Sequence, residues 1–157
     1  MTASTEPRRV PLPVLLVCAA WLGAGVLVAA VVAPAAFAVL PTRTLAGALV
    51  GRVLPVLFYA GLVVGALLAW RGRLAARVGG AAAVLGCAVA QFVIAPRIAA
   101  VRAAIGGAID ALPIADPRRA EFGRLHALSV LALGIAMLGA GVALVVGAIN
   151  FRTENRP

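Results

Sequence analysis

The sequence predicts an all-helical integral membrane protein: a bundle of four transmembrane helices, with an amphipathic arm between helices three and four. The chain is 64% hydrophobic, and its few charged residues fall almost entirely between long apolar runs. A helix needs about 20 residues to cross the roughly 30 Å of hydrocarbon in a bilayer. A chain of 157 residues therefore has room for four spans in one domain and for little else.

The first span is expected at about residues 12–33, after a polar amino-terminal tail at 1–11. Its apolar run is too long for the core of a cleaved signal peptide, so we interpret it as a retained helix. The segment Thr42–Arg52 has apolar residues at helical spacing. We interpret it as a helix at the membrane interface or as a lead-in to span two.

Spans two and three are expected at about residues 53–70 and 78–95. Pro55 would then fall in the first turns of span two, where a missing amide hydrogen does least harm. The short connection 71–77 predicts a tight antiparallel hairpin. Pro96 is expected to end span three, because proline disrupts a continuing helix.

The amphipathic arm follows span three, and Gly106-Gly107 weakens its helical pattern. Its apolar residues recur every three or four positions: Ile98, Val101, Ile105, Ile109 and Leu112. Asp116-Pro117 is typical of a helix start, with the carboxylate as cap and proline as the first residue. Span four is then expected at about 125–149, followed by a polar tail at 151–157.

Small residues at spacings of four positions predict which helix faces pack together. In lipid, close helix contact depends on small side chains, because association brings no hydrophobic gain. The three predicted contact rows are Gly61, Gly65 and Ala69; Gly79, Ala83 and Cys87; and Gly139, Ala143 and Gly147. The next position on the second row is Gln91, which should point at a partner helix.

The charge pattern bounds the partners. The net charge of +9 comes from arginine alone, since the chain has no lysine, and the arginines cap apolar runs, where they can reach lipid head groups. No exposed basic face with interleaved aromatic residues is present, which excludes nucleic acid. We expect membrane lipids and an unidentified small molecule as partners, and a homo-oligomer stays open.

The cysteines and the single histidine do not form a metal site by spacing, and we expect no metal. Cys18 and Cys87 lie inside apolar runs and are interpreted as small core residues. No Ser-His-Asp arrangement, phosphate loop or dinucleotide fingerprint is present. We therefore expect no enzymatic activity.

Polar side chains near one membrane boundary predict a pocket. On a helical projection Arg119, Phe122, His126, Ser129 and Leu133 share a face, and Gln91 and Tyr59 should lie at a similar depth. The predicted pocket residues are Tyr59, Gln91, His126 and Ser129, with Arg52, Arg97 and Arg119 as contacts for an anion or a lipid head group. Alternatively, these polar groups satisfy one another and the arginines hold lipid phosphates.

The function expected from this pocket is binding, or an accessory role in transport. The competing hypothesis is haem or another redox group held by His126, and a structural subunit of a membrane complex is the third. Seven arginines fall on each side of the membrane, and weighting the short connection 71–77 favours both termini in the cytoplasm. We expect the plasma membrane of a bacterium.

Several blocks of the sequence resemble the transmembrane-protein-205-like family. They are Val32-Ala-Pro34 with Phe37, Leu45-Ala-Gly47, Gly51-Arg52-Val-Leu-Pro55, Phe58-Tyr59, Ala95-Pro96-Arg97 and Phe122-Gly-Arg124-Leu125-His126-Ala-Leu-Ser129. The resemblance covers roughly Leu12 to Asn150 and implies the four-span fold and a shared block around His126. It implies no catalytic role for any residue.

Overall fold

The computed structural model describes residues 10–154, with side chains described as far as Asn150. Within that range the chain is helical and contains no strand. The helices are α1 (Leu12–Leu27), α2 (Ala33–Val39), α3 (Arg43–Arg71), α4 (Leu74–Ala88), α5 (Ala95–Ile105) and α6 (Pro117–Glu154). The predicted tail before Val10 and the chain beyond Glu154 lie outside the described residues.

Four continuous helical rods in the described chain are long and apolar enough to cross a membrane, which confirms the predicted fold class. They are Leu12–Val39, Arg43–Arg71, Leu74–Ile105 and Pro117–Asn150. Each rod packs against the next in sequence, and α1 closes the bundle by packing against both α3 and α6. The result is an up-and-down four-helix bundle.

A π-helical turn precedes the proline in the first and third rods. Val28–Val32 lies just before Pro34, and Val89–Ile94 lies just before Pro96. A proline ring clashes with the carbonyl group four residues earlier and offers no amide hydrogen. A π turn, whose hydrogen bonds join residues five apart, provides a wider local geometry. Both rods continue beyond the prolines at which the sequence predicted their ends.

The second rod begins at Arg43, which agrees with the interpretation of Thr42–Arg52 as a lead-in to span two. The Thr42 hydroxyl accepts a hydrogen bond from the Leu45 amide at 3.2 Å, and α3 runs from Arg43 onward. The segment Thr42–Arg52 is therefore the first part of the second rod rather than a separate interfacial helix. Pro55 consequently lies inside α3, not in its first turns.

The predicted amphipathic arm is α5, which extends the third rod, followed by a short 3-10 turn at Ile109–Ala111. α5 ends at Gly106, whose φ of 66° lies in the left-handed region that glycine adopts without strain. As predicted, Asp116 caps α6, because the Arg118 amide donates to Asp116 Oδ1 at 2.8 Å.

Small residues set the distance between the central helices, where α4 packs against α3 and α6. A Cβ atom added to Gly86 would lie 2.5 Å from the carbonyl oxygen of Ala132. One added to Gly80 would lie 2.6 Å from the carbonyl oxygen of Gly65. The helix backbones touch at these glycines, as van der Waals packing in lipid requires.

Two polar contacts join α1 to its neighbours. Trp21 Nε1 donates to the Leu57 carbonyl of α3 at 2.8 Å, and Cys18 Sγ donates to the Ala140 carbonyl of α6 at 3.6 Å. Cys18 and Cys87 are both buried and free. Their burial fits their interpretation as small core residues.

Candidate functional site

A partly open cavity of about 500 Å³ lies between α3, the third rod and α6. It is on the side of the bundle that carries the connections 40–42 and 106–116. Its volume falls within the roughly 300–1,000 Å³ that is usual for small-molecule sites. Most of the lining is apolar. The polar side chains that line it are Arg43, Thr44, Gln91, Arg102, Asp110, His126 and Ser129.

The cavity is a slot that runs parallel to the helix axes, because its lining residues recur at helical spacing. They include Gly47, Gly51, Leu54 and Phe58 of α3; Gln91, Ala95, Ile98 and Arg102 of the third rod; and Phe122, His126 and Ser129 of α6. At a rise of 1.5 Å per residue, the eleven positions from Gln91 to Arg102 extend about 16 Å.

Arg102 provides a half-buried cation on the wall of this slot. Its guanidinium carbon lies 5.3 Å from the centroid of the Phe122 ring, within the range of a cation–π contact. A Cβ atom added to Gly47 would lie 3.1 Å from Arg102 Nη2, and one added to Gly51 would lie 3.7 Å from Nη1. Glycine at these two positions therefore lets the guanidinium approach the surface of α3.

Arg102 has no carboxylate partner in the described part of the chain; Asp110 pairs with Arg43, and Asp116 pairs with Arg118. The guanidinium group of Arg102 instead contacts the ring of Phe122. The charge of Arg102 is therefore available to a bound molecule.

Arg43 is the second arginine of the lining. Its Nε atom lies 4.0 Å from Asp110 Oδ2, and both side chains are exposed, so the pair contributes little to stability. The pair joins the start of α3 to the connection between α5 and α6. That connection closes one end of the cavity, since Gly107 and Ile109 also line it.

His126 is exposed in the isolated chain and lines the cavity one turn after Phe122. The two rings are nearly parallel, at 8°, with centroids 6.3 Å apart. Arg102, Phe122 and His126 thus form a row along the cavity wall. Half-buried Ser129 lies on the same face, so Phe122, His126 and Ser129 of the predicted face line the cavity, whereas Arg119 and Leu133 of that face do not.

Gln91 lies at the deep end of the slot. Its Nε2 atom donates to Tyr59 Oη at 3.5 Å, which is long for a hydrogen bond. Its Oε1 atom is buried and has no hydrogen-bond partner among the described residues. Tyr59 packs edge-to-face on Phe92, is 49% exposed and does not line the cavity. The structure therefore places Gln91, His126 and Ser129 in the lining of one cavity, whereas Tyr59 lies outside that lining.

The arginines of the cavity differ from the predicted ones. Arg52 and Arg97 are exposed and do not line it. Arg119 does not line it either. Its Nη1 atom donates to the Leu112 carbonyl at 3.1 Å and so links α6 to the connection 106–116. In their place the lining contains Arg43 and Arg102.

The continuation of the third rod past Pro96 explains this difference. Ala95 lines the cavity, and Arg102 follows it by about two helical turns on the same face. Arg97 follows Ala95 by about half a turn and so points elsewhere. The sequence signal for Arg102 was its spacing from Gln91, about three turns, and it becomes visible only if the helix is taken through the proline.

Within the described residues, no group of three or more His, Cys, Asp and Glu side chains is arranged to hold a metal ion. The haem hypothesis depends on His126, the one histidine of the chain. It stays a prediction.

A family model described as a domain of unknown function, DUF4149, matches residues 16–106, which is more than half of the chain. The match covers most of the first three spans and ends just after α5, so the block Phe122–Ser129 lies outside it. No curated protein and no solved structure matches the chain. The match agrees with a membrane protein whose family has no assigned function, whereas the resemblance to the transmembrane-protein-205-like family is not confirmed.

Proposed function

We propose that this chain, which belongs to the DUF4149 family, is a membrane-embedded binding or transport-accessory protein whose cavity takes an anionic ligand. One observation carries the proposal: Arg102 is a half-buried cation on the cavity wall with no carboxylate partner among the described residues. The four-span fold places this cation beside an apolar slot rather than on an open surface.

The free energy of an unpaired cation supports this function. Removing a charge from water is unfavourable unless it is paired, and a cation–π contact returns only about 0.5–2 kcal/mol. Opposite unit charges 4 Å apart attract by about 4 kcal/mol at an effective dielectric constant near 20, against about 1 kcal/mol in water. An anion at the cavity wall would therefore be attracted to Arg102 more strongly than an anion in bulk water is.

Neighbouring groups can contribute hydrogen bonds to the same ligand. The Ser129 hydroxyl and the His126 imidazole each carry a donor and lie on the α6 wall of the cavity. Arg43 adds a second cation at the end nearest the connections. This arrangement favours a ligand with one anionic end.

The test compares two arginine-to-glutamine variants of the protein in lipid nanodiscs. The probes are inorganic phosphate, acetate and dodecanoate, and the measurement is the dissociation constant of each. A charged hydrogen bond contributes about 1.5–3 kcal/mol, so Arg102→Gln should weaken binding of the preferred anion by roughly 10- to 150-fold. Arg97→Gln removes the same charge from an exposed position outside the cavity and should leave binding unchanged.

Two results would reject this function. None of the three anions binds the wild-type protein, or the Arg102→Gln and Arg97→Gln variants weaken binding equally. Either result would show that the cation on the cavity wall does not select the ligand.

A further inference from the structure

We infer that the anion is the carboxylate head group of a single-chain amphiphile that enters the cavity from the membrane leaflet. Its head would lie at Arg102 and its chain along the slot towards Gln91. This inference rests on the proposed binding function and specifies the chemical class of its ligand.

The shape of the cavity fits a chain. The slot extends about 16 Å between Gln91 and Arg102, and its volume is about 500 Å³. A slot of this size has room for one acyl chain but not for a whole two-chain phospholipid. Below Arg102 the walls from α3 and α5 are apolar, with Leu54, Phe58 and Ile98, while the α6 wall carries His126 and Ser129 and the deep end carries Gln91.

The polarity of the cavity has the same direction as that of a lipid in a leaflet. Arg43 and Arg102 lie near the ends of their rods, where a head group would be. Gln91 lies near the middle of the third rod, Leu74–Ile105, at the depth of the acyl chains. An amphiphile in the adjacent leaflet would therefore enter the slot without reversing its orientation.

The charge of the lining favours a head group with a single negative charge. The charged residues in the lining are Arg43, Arg102 and Asp110, so two positive charges and one negative charge leave one positive charge in excess. Asp110 lies beside Arg43 and would repel a multiply charged anion there. A carboxylate matches this balance better than inorganic phosphate does.

A ligand series on the wild-type protein tests the inference directly. The series contains dodecanoate, octanoate, acetate and dodecanol, each added to the protein in nanodiscs of zwitterionic lipid and detected by native mass spectrometry. The dissociation constants are referred to the aqueous ligand concentration, and each methylene group that leaves water contributes to binding, so dodecanoate should bind more than about tenfold tighter than octanoate. Acetate lacks the chain and dodecanol lacks the charge, and both should bind weakly or not at all.

A pair of adjacent alanines in α5 supplies matched variants. Ala99 is exposed and lines the cavity just below Arg102, whereas Ala100 is exposed and does not line it. Ala99→Phe should obstruct the slot and weaken dodecanoate binding by more than about tenfold, since its ring would overpack the space that the acyl chain occupies. Ala100→Phe should bind dodecanoate as the wild type does. The ligand series needs no variant, so it decides the inference even if Ala99→Phe does not fold.

The outcomes separate this inference from the proposed function. If acetate binds as tightly as dodecanoate and Arg102→Gln abolishes both, the ligand is a soluble anion, and the chain inference is wrong while the binding function stands. If dodecanol binds as tightly as dodecanoate, the charge has no role and both proposals fail. If Ala99→Phe and Ala100→Phe bind dodecanoate equally well, the chain does not occupy this slot.

Discussion

The contact between α4 and α6 predicts how much a substitution of Gly86 lowers the free energy of unfolding. An alanine Cβ atom there would lie 2.5 Å from the Ala132 carbonyl oxygen and 3.0 Å from the Ala136 Cβ atom, so the two helices must separate. Overpacking of this kind costs about 1–3 kcal/mol. The matched control is Gly134→Ala in α6, because a Cβ atom at Gly134 meets nothing within 4 Å.

Both substitutions gain the helix propensity of alanine over glycine, about 0.8–1.0 kcal/mol. Because this gain is common to the two variants, the difference between them isolates the overpacking. Gly134→Ala should be neutral or more stable than the wild type. The free energy of unfolding of Gly86→Ala should be about 1–3 kcal/mol lower than that of Gly134→Ala.

The assay is reversible unfolding in bicelles by a rising mole fraction of a denaturing detergent, followed by far-ultraviolet circular dichroism. Equal unfolding free energies for Gly86→Ala and Gly134→Ala would mean that the α4 and α6 backbones do not touch at Gly86.

Two further predictions concern the cavity wall and the α6 cap. Gly47→Leu should displace the Arg102 guanidinium from α3 and weaken dodecanoate binding by about tenfold, or about 1.4 kcal/mol. The control is Gly23→Leu, which should leave binding unchanged because a Cβ atom at Gly23 meets no atom within 4 Å. Equal affinities of the two variants for dodecanoate would contradict this prediction. The hydrogen bond from the Arg118 side chain lowers the pKa of Asp116, so folding favours the ionised carboxylate. The contribution of this carboxylate to stability is present above the ordinary carboxylate range and is lost as pH falls through the lowered pKa. The melting temperature of the wild type should therefore fall more steeply in acid than that of Asp116→Asn, which keeps a capping side chain, and parallel acid profiles would contradict the prediction.

Much of the fold follows from residues whose effects are local. Asp116 and Pro117 predicted the start of α6, because a capping carboxylate and a proline at the first helical position act within one turn. The small residues of the central helices predicted their contact faces, because lipid leaves close packing as the main source of helix association. Gln91 was predicted to point at a partner helix and is found at the cavity, in contact with Tyr59 of α3.

The differences arise where a local rule is overridden by neighbouring turns. Pro34 and Pro96 were predicted to end spans, but a π turn before each proline accompanies a helix that continues. Pro55 likewise lies inside α3. The apolar pattern contains no signal for a π turn, so the residues beyond each proline were assigned to separate segments.

The candidate site was predicted in part for the same reason. His126 and Ser129 share one uninterrupted helix, so their common face could be read from spacing alone. The face of Arg102 relative to Gln91 depends on the geometry through Pro96, which spacing alone does not specify. The predicted arginines therefore included Arg97, which lies on a helix face that does not line the cavity, and omitted Arg102, which does line it.

Photocrosslinking shows whether an anionic amphiphile occupies the slot between α3, the third rod and α6. A long-chain carboxylate with a diazirine in mid-chain would be crosslinked to the protein in nanodiscs, and the adducts mapped by peptide mass spectrometry. Adducts should concentrate on Leu54 and Ile98 and should disappear in Arg102→Gln. Adducts spread over lipid-facing residues such as Val63 and Leu138, and unchanged in Arg102→Gln, would contradict the claim.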